Sequence, residues 1–578
     1  MLFGLLFNLL RVCSAPFVLL RRAVLRRRPV WVALRLDGGL TELAPAERRL
    51  QRWLNWARPR PVTLTDLREV TRAIASDHGV RGVLLEIPHT LRAGWSTLVG
   101  LRGVVAELRA AGKHVVAYLP DGGGTREIYA ALAADTIWIA PGATLAFLGI
   151  ASESMYLKAL LDRLGVSVEV HAAGRFKTAA EPLLAERMSD AQREQRQPLL
   201  DAVHEEFIEA LRHSGRMSAD SIAEAFSSGL LRGESAVTCG LVDAVCYADQ
   251  VAARLPSSGE AATGKPAARP RVMSLTQYRW AFAESIWRPV LPLPYVAVIA
   301  VHGTIGLDAS PAGGNANVAA LTSALNAVRR DPRAVAAVLH IDSPGGSALA
   351  SDHIHRDVAR LAEQKPVVAC FGEVAASGGY YVAAPAQRIV AQPTTVTGSI
   401  GVISAKVVLD RLLQNVGVQP QGLKTAVHAD MFSAARPLRD DEHAIMEREA
   451  QGVYRTFLEV VATGRKRPVD EIEALAAGRV WSGRDALRHG LVDRLGGLDV
   501  ALDEARALVS GLSVAARGRL RPRVVQRFAS RRALPTTTEP EAMLLAWLGR
   551  VAPDLARLWS AQCRGERLLL LAPWLSDR

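Results

Sequence analysis

The chain is short of cysteine and of lysine, and both shortages narrow its chemistry. Its five cysteines (Cys13, Cys239, Cys246, Cys370 and Cys563) are odd in number and far apart. That spacing offers neither a disulfide framework nor a thiolate metal site. Cys370 falls inside an apolar run and reads as core. No zinc-finger spacing, RNA-binding signature or basic zipper occurs, although the formal charge is +13. Arginine carries most of that charge and gathers at Arg21–Arg28 and Arg517–Arg532. Such a distribution suits attraction to an anionic membrane surface, and nucleic acid is not read as a partner. With 49% hydrophobic and 22% charged residues the composition excludes wholesale disorder, and 578 residues are too many for one ordinary core.

A long unbroken apolar run is also missing. Residues 1–20 are rich in Leu, Phe and Val but are interrupted by Asn8, Arg11 and Pro16. About −0.5 kcal/mol for each strongly apolar residue, against roughly +3 kcal/mol for a central arginine, leaves spanning marginal. Asn8, Arg11, Arg22 and Arg26, with Ala15 between them, fall at helical spacing. The pattern fits a helix lying in the membrane interface over residues 1–28, with a spanning helix and a soluble packing helix as the alternatives. A cleavable signal peptide fits poorly, because the basic cluster follows the apolar run.

What the chain does contain is a duplication. VWVALRLDGG from Val30 resembles YVAVIAVHGT from Tyr295, and residues 64–87 match residues 318–341 as amphipathic helix, turn and buried strand. His114–Pro141 parallels Pro366–Pro393, and GLVDAV from Gly240 parallels GLVDRL from Gly490. Strand and helix alternate in each half, which predicts an α/β fold with parallel strands and crossover helices. The expected organisation is a membrane-associating segment (1–28), a first repeat (29–252), a linker (253–293), a second repeat (294–510), and a basic linker with a C-terminal tail (511–578). That tail includes LLLLAPWL near its end and has no assigned role.

The mismatches between the copies point to chemistry. In GEVAASGGYYVAA (372–384), Ser377 is expected at an exposed strand-to-helix turn, where nearby helix amides favour negative charge. Taken alone the stretch reads as an N-capping serine before a nucleophile. The first half has Thr125 and Arg126 where the second has Ser377 and Gly378. DSPGGS (342–347) offers paired glycine amides, absent from PHTL (88–91), although a simple β-turn would read the same. The reverse holds at GRFKTAAEPL (174–183), which aligns with ADMFSAARPL (429–438) and sets Lys177 against Phe432. Burial lowers a lysine's pKa and makes it a general base, whereas a surface position would leave it ordinary. The second half thus holds a nucleophile and oxyanion donors, and the first holds a base candidate. One composite site explains both losses. His353 and His355 sit on an expected solvated helix face, and His428 is the rival base.

Four motifs together, HIDSPGGSA (340–348), GEVAASGGYYVAA, TVTGSIGVI (395–403) and GRFKTAAEPL, resemble the long, duplicated form of the signal peptide peptidase A family. These are serine peptidases of the Clp protease/crotonase superfamily, and the likeness runs from about Val30 to Ala507. The resemblance implies two tandem Clp protease/crotonase-like domains. It implies Ser377 as nucleophile and Lys177 as general base, with the amides around Gly345, Gly346 and Gly378 as the oxyanion hole. Ser399 would hold the lysine amine, its first-half counterpart being Phe147. It further implies degradation of cleaved signal peptides and other apolar peptides at a bacterial inner membrane. The expected assembly is a homo-oligomer, a tetramer by family resemblance, and no metal or cofactor is expected. A crotonase-like acyl-CoA enzyme and a catalytically silent membrane scaffold are the alternatives.

Overall fold

The computed structural model describes residues 30–44, 62–256, 270–282, 293–307, 316–525 and 569–571, with isolated positions near the N-terminus. The membrane-associating segment read at 1–28, the middle of the linker and most of the tail beyond 525 lie outside the described residues. Among the described residues, no helix is long and apolar enough to cross a membrane. The chain divides into two compact units, Met1–Ile150 with Val203–Leu293, and Ala151–Ala202 with Pro294–Arg578.

In the first unit, β1 (Val30–Arg35), α1 (Leu64–Ser76), β2 (Val80–Glu86), α2 (Trp95–Ala110), β3 (His114–Leu119), α3 (Thr125–Ala131) and β4 (Thr136–Ile139) follow one another. The strands form a parallel sheet in the order β1-β2-β3-β4, flanked by Arg271–Ser274 and Ala244–Val245. Parallel strands covered on both faces need continuous apolar runs, and β2 and β3 supply them. The spacing of Leu64, Leu67, Val70 and Ile74 gives α1 its buried stripe. Thr63 caps that helix by accepting from the Asp66 amide at 3.0 Å.

The second unit repeats the plan. β5 (Ser167–Ala173) comes from the segment Ala151–Ala202, and is followed by β6 (Tyr295–His302), α4 (Val318–Arg330), β7 (Ala334–Ser343), β8 (Gly345–Ser347), α5 (Ala348–Ala362), β9 (Val367–Ala376), α6 (Gly378–Ala383), β10 (Arg388–Ala391), β11 (Val396–Gly398) and β12 (Val402–Val408). β6, β7 and β9 are parallel neighbours at the centre of the main sheet, and β10 and β11 both pair with β9. A second sheet contains β8, β12 and β5, with β5 running antiparallel to β12 from Val402↔Ala173 to Val408↔Ser167. Lys177 follows β5 directly. Although it belongs to the first repeat in chain order, it packs in the serine-bearing unit.

The duplication extends to single hydrogen bonds. The pairings β1–β2 and β6–β7 each shift register after their first residue pair. The Lys113 amine donates to the Asp77 carbonyl at 2.7 Å, and that of Lys365 to the Asp331 carbonyl at 2.6 Å. The shared GLVD motif has the same task in both halves. Asp243 accepts from the Ile137 amide at 2.6 Å, and Asp493 accepts from the Ile389 amide at 2.7 Å, securing β4 and β10.

Candidate active site

Ser377 sits between β9 and α6 with φ 55° and ψ −118°. Positive φ in a residue other than glycine costs on the order of 1–3 kcal/mol and persists only where the surroundings hold it. Here the Ser377 amide donates to the Gly398 carbonyl at 2.8 Å, and the Tyr381 amide donates to the Ser377 carbonyl at 2.9 Å. Ser377 occupies the N-cap position, yet its side chain makes no capping hydrogen bond. Its Oγ lies 2.8 Å from Lys177 Nζ instead. The expectation of an exposed hydroxyl is corrected: Ser377 is 0% exposed, because this tight turn is enclosed by packed backbone and by the lysine. Close packing also dictates Gly378. A Cβ there would come within 2.5 Å of Ser351 Oγ and 3.3 Å of both Gly345 Cα and the Gly346 nitrogen.

Lys177 is held from both sides. The Phe176 amide donates to the Ala477 carbonyl at 2.8 Å. The buried Gln195 side chain donates to the Phe176 carbonyl at 2.9 Å and to Thr178 Oγ1 at 2.6 Å. Gly478, with φ 80°, lies where any Cβ would strike the Lys177 nitrogen at 2.6 Å. The amine contacts the Ser399 carbonyl and Ser399 Oγ, both at 3.0 Å. Lys177 is 4% exposed, and burial pushes its pKa well below the ordinary lysine value of 10.5. Ser399 also has positive φ, 52°, and its amide donates to the Arg479 carbonyl at 2.7 Å. Sequence reasoning missed Gln195, Ala477 and Gly478. A glutamine within a charged helical run gives no local signal of burial, and the 476–479 loop reaches the site only through folding.

The DSPGG stretch does more than turn. The Asp342 carboxylate accepts from the Val374 amide at 3.1 Å, tying the end of β7 to β9. Burial raises its pKa, and hydrogen bonds from the Val374 and Glu373 amides oppose that rise. The Gly345 amide donates to Ser343 Oγ at 3.2 Å. Gly346 and Gly378 lie side by side, as the 3.3 Å approach described above requires. His428 instead faces Asp441, Glu442 and Arg439. His353 is exposed, whereas His355 packs against Tyr381 at 5.2 Å between ring centroids, so the expected solvated face is only partly so.

The first unit keeps the backbone plan without the polar groups. Its Gly122↔Thr144 and Gly123↔Leu145 pairings repeat Val374↔Val396 and Ala375↔Thr397, so Thr125 stands at the Ser377 position. Thr125 Oγ1 donates to the Gly149 carbonyl at 3.0 Å. Phe147 stands at the Ser399 position and is buried among aromatic rings.

Set beside known proteins, the chain is an α/β serine peptidase by its family and its relatives. It belongs to Peptidase family S49, whose family model matches residues 107–261 and 359–511, one stretch in each repeat. It is 31% identical over 451 residues to "Serine protease SPPA, chloroplastic" of Arabidopsis thaliana, covering 77% of this chain and 65% of that protein. "Protease 4" of Salmonella typhi is 31% identical over 466 residues, covering 77% of this chain and 72% of the relative. "Protease 4" of Haemophilus influenzae is 29% identical over 462 residues, covering 78% and 74% respectively.

Proposed function

We propose that this serine peptidase works through a Ser377–Lys177 dyad and cleaves apolar peptides, cleaved signal peptides among them. The observation that carries the reading is the 2.8 Å separation of Lys177 Nζ and Ser377 Oγ in a buried setting. Burial favours the neutral amine, whose lone pair then takes the hydroxyl proton as Oγ attacks the peptide carbonyl. The C–N bond breaks, the ammonium returns its proton to the leaving amine, and an acyl ester remains on Ser377. Water, deprotonated by the same amine, hydrolyses that ester and restores both groups. The oxyanion draws on the Gly346 and Gly378 amides, with Gly345 shaping the turn through Ser343. Ser399 positions the amine through its carbonyl and hydroxyl.

The wider setting in this reading is a bacterial plasma membrane, held through residues 1–28, whose apolar run and arginines suit an anionic interface. A homo-oligomer belongs to the same reading. Its support is the stretch 414–429, exposed throughout, with Val416, Leu423 and Val427 in contact with solvent. By the sequence alignment this is the second repeat's counterpart of β5.

Hydrolysis of an apolar peptide by purified full-length chain, with Ser377→Ala and Lys177→Ala variants, tests the dyad. Loss of activity in both supports it, and activity surviving either change contradicts it.

A further inference from the structure

Arg479 touches both supports of Lys177, one with its carbonyl and the other with its side chain. The Ser399 amide donates to the Arg479 carbonyl at 2.7 Å, and Ser399 in turn holds the lysine amine. The Arg479 guanidinium lies 4.1 Å from the centroid of the Phe176 ring and 5.2 Å from that of Trp481. Phe176 is buried and directly precedes Lys177. Glu194 forms an ion pair with Arg479 and takes Arg175 Nη2 at 3.1 Å. The loop before Arg479 alternates between the same two supports. The Ala477 carbonyl accepts from Phe176, and the Gly478 amide donates to the Ile400 carbonyl, both at 2.8 Å. Ala477 and Gly478 have φ of 49° and 80°, a conformation that needs anchoring. A planar cation stacked on aromatic rings supplies such an anchor.

The first repeat shows what the backbone does alone. Leu230–Arg232 pairs antiparallel with Thr144–Ala146, as Val480–Ser482 pairs with β11. That register sets Gly229 at the Arg479 position. The Phe147 amide donates to the Gly229 carbonyl at 2.7 Å, the same bond at the same length. The bond therefore forms without any side chain, and the guanidinium is present only in the repeat that holds a lysine amine.

We propose that Arg479 is a positioning residue for the Ser377–Lys177 pair: its side chain fixes Phe176, where the lysine segment begins, and its carbonyl fixes Ser399, where the amine ends. The proposal rests on the reading of Lys177 as the general base. Arg479 moves no proton and is assigned no substrate contact. Small displacements of a catalytic group are costly, about 100-fold for 1 Å, so a clamp on both ends of one side chain bears on kcat.

The test uses the full chain and a short apolar peptide. Arg479→Met keeps the backbone carbonyl and the side-chain length but removes the planar cation. Its kcat should fall about tenfold with KM unchanged. Arg479→Lys keeps the charge without the plane and should recover only part of that loss. Glu194→Gln, at an exposed position, should lower kcat about twofold. Because Arg479 acts through the Phe176 ring, Arg479→Met and Phe176→Leu should be non-additive in the double variant. The pH midpoint of Ser377 acylation by a serine-directed probe should move up in Arg479→Met, since a loosened amine gains water and returns towards 10.5. A role in fold stability alone would leave that midpoint in place. Parent kcat with an unmoved midpoint in Arg479→Met overturns the proposal. Where that variant does not fold, parent kcat in Glu194→Gln overturns it. So does a change confined to KM, or losses that add in the double variant. Activity surviving in Lys177→Ala overturns the reading of the base, and the proposal with it. Its loss there, beside parent kinetics in Arg479→Met, overturns the proposal alone.

Discussion

Phe147 and Phe226 pack with ring centroids 4.5 Å apart at the place where the other repeat holds Ser399. Phe207 completes the cluster, 5.6 Å from Phe147. An apolar cluster there offers no hydrogen-bond partner to an amine. In a Ser377→Ala chain, adding Thr125→Ser should restore neither peptide hydrolysis nor probe labelling. Phe147→Ala should cost about 3–5 kcal/mol in denaturant unfolding of the first unit. Acylation at position 125 would contradict this assignment.

Gly378→Ala forces a methyl group to within 2.5 Å of Ser351 Oγ. Displacing the amide from a developing oxyanion costs on the order of 100-fold in kcat, with KM little changed. Adding Ser351→Gly removes the nearest clash and should recover part of that loss. Steady-state kinetics of the single and double variants check it. A single variant with unaltered kcat would remove Gly378 from the oxyanion account.

Ser399→Ala deletes one of the contacts to Lys177 Nζ and keeps the carbonyl contact. One hydrogen bond of about 1 kcal/mol corresponds to a roughly fivefold fall in kcat. Gln195→Ala frees the Phe176 carbonyl and the Thr178 hydroxyl on either side of the lysine, and a larger fall is expected. KM should hold in both, since neither side chain is assigned a substrate contact. A change confined to KM would argue against a positioning role.

Lys177 also links stability to pH. Its folded pKa lies below the ordinary 10.5, so between the two values the unfolded chain binds more protons. Stability therefore rises with pH across that window, by about 1.4 kcal/mol per pH unit for this one group, and is lost as pH falls. Lys177→Met lacks the term. Unfolding measured at several pH values should show the parent gaining on the variant as pH rises towards 10.5, and a constant difference would contradict buried, neutral Lys177.

Much of this was legible before folding. Apolar periodicity marked β1–α1–β2 and β6–α4–β7, the mismatches at Ser377 and Lys177 pointed to the candidate site because repeats diverge where their tasks differ, and Ser399 came from the family resemblance alone. GLVD was visible as a repeat, but its task was not. The bond from Asp493 to the Ile389 amide spans 104 residues and leaves no local pattern. The same holds for Gln195 and Gly478, whose partners are brought in by the fold. The burial of Ser377 was misread because exposure depends on what packs over a turn. The strand Leu569–Leu571 is too short for any periodicity, and its pairing with β8 and β12 is set by the two edges it meets.

The central claim is that a neutral, buried lysine activates Ser377. Its most direct test is the pH dependence of Ser377 acylation by a serine-directed probe, in the full chain and in Lys177→Met. Protonated lysine cannot accept the hydroxyl proton, so the rate should climb with pH through one ionisation well below 10.5 and then level off. The variant should show no such step and little labelling. Labelling of Lys177→Met at the parent rate, with the same pH profile, would contradict the dyad.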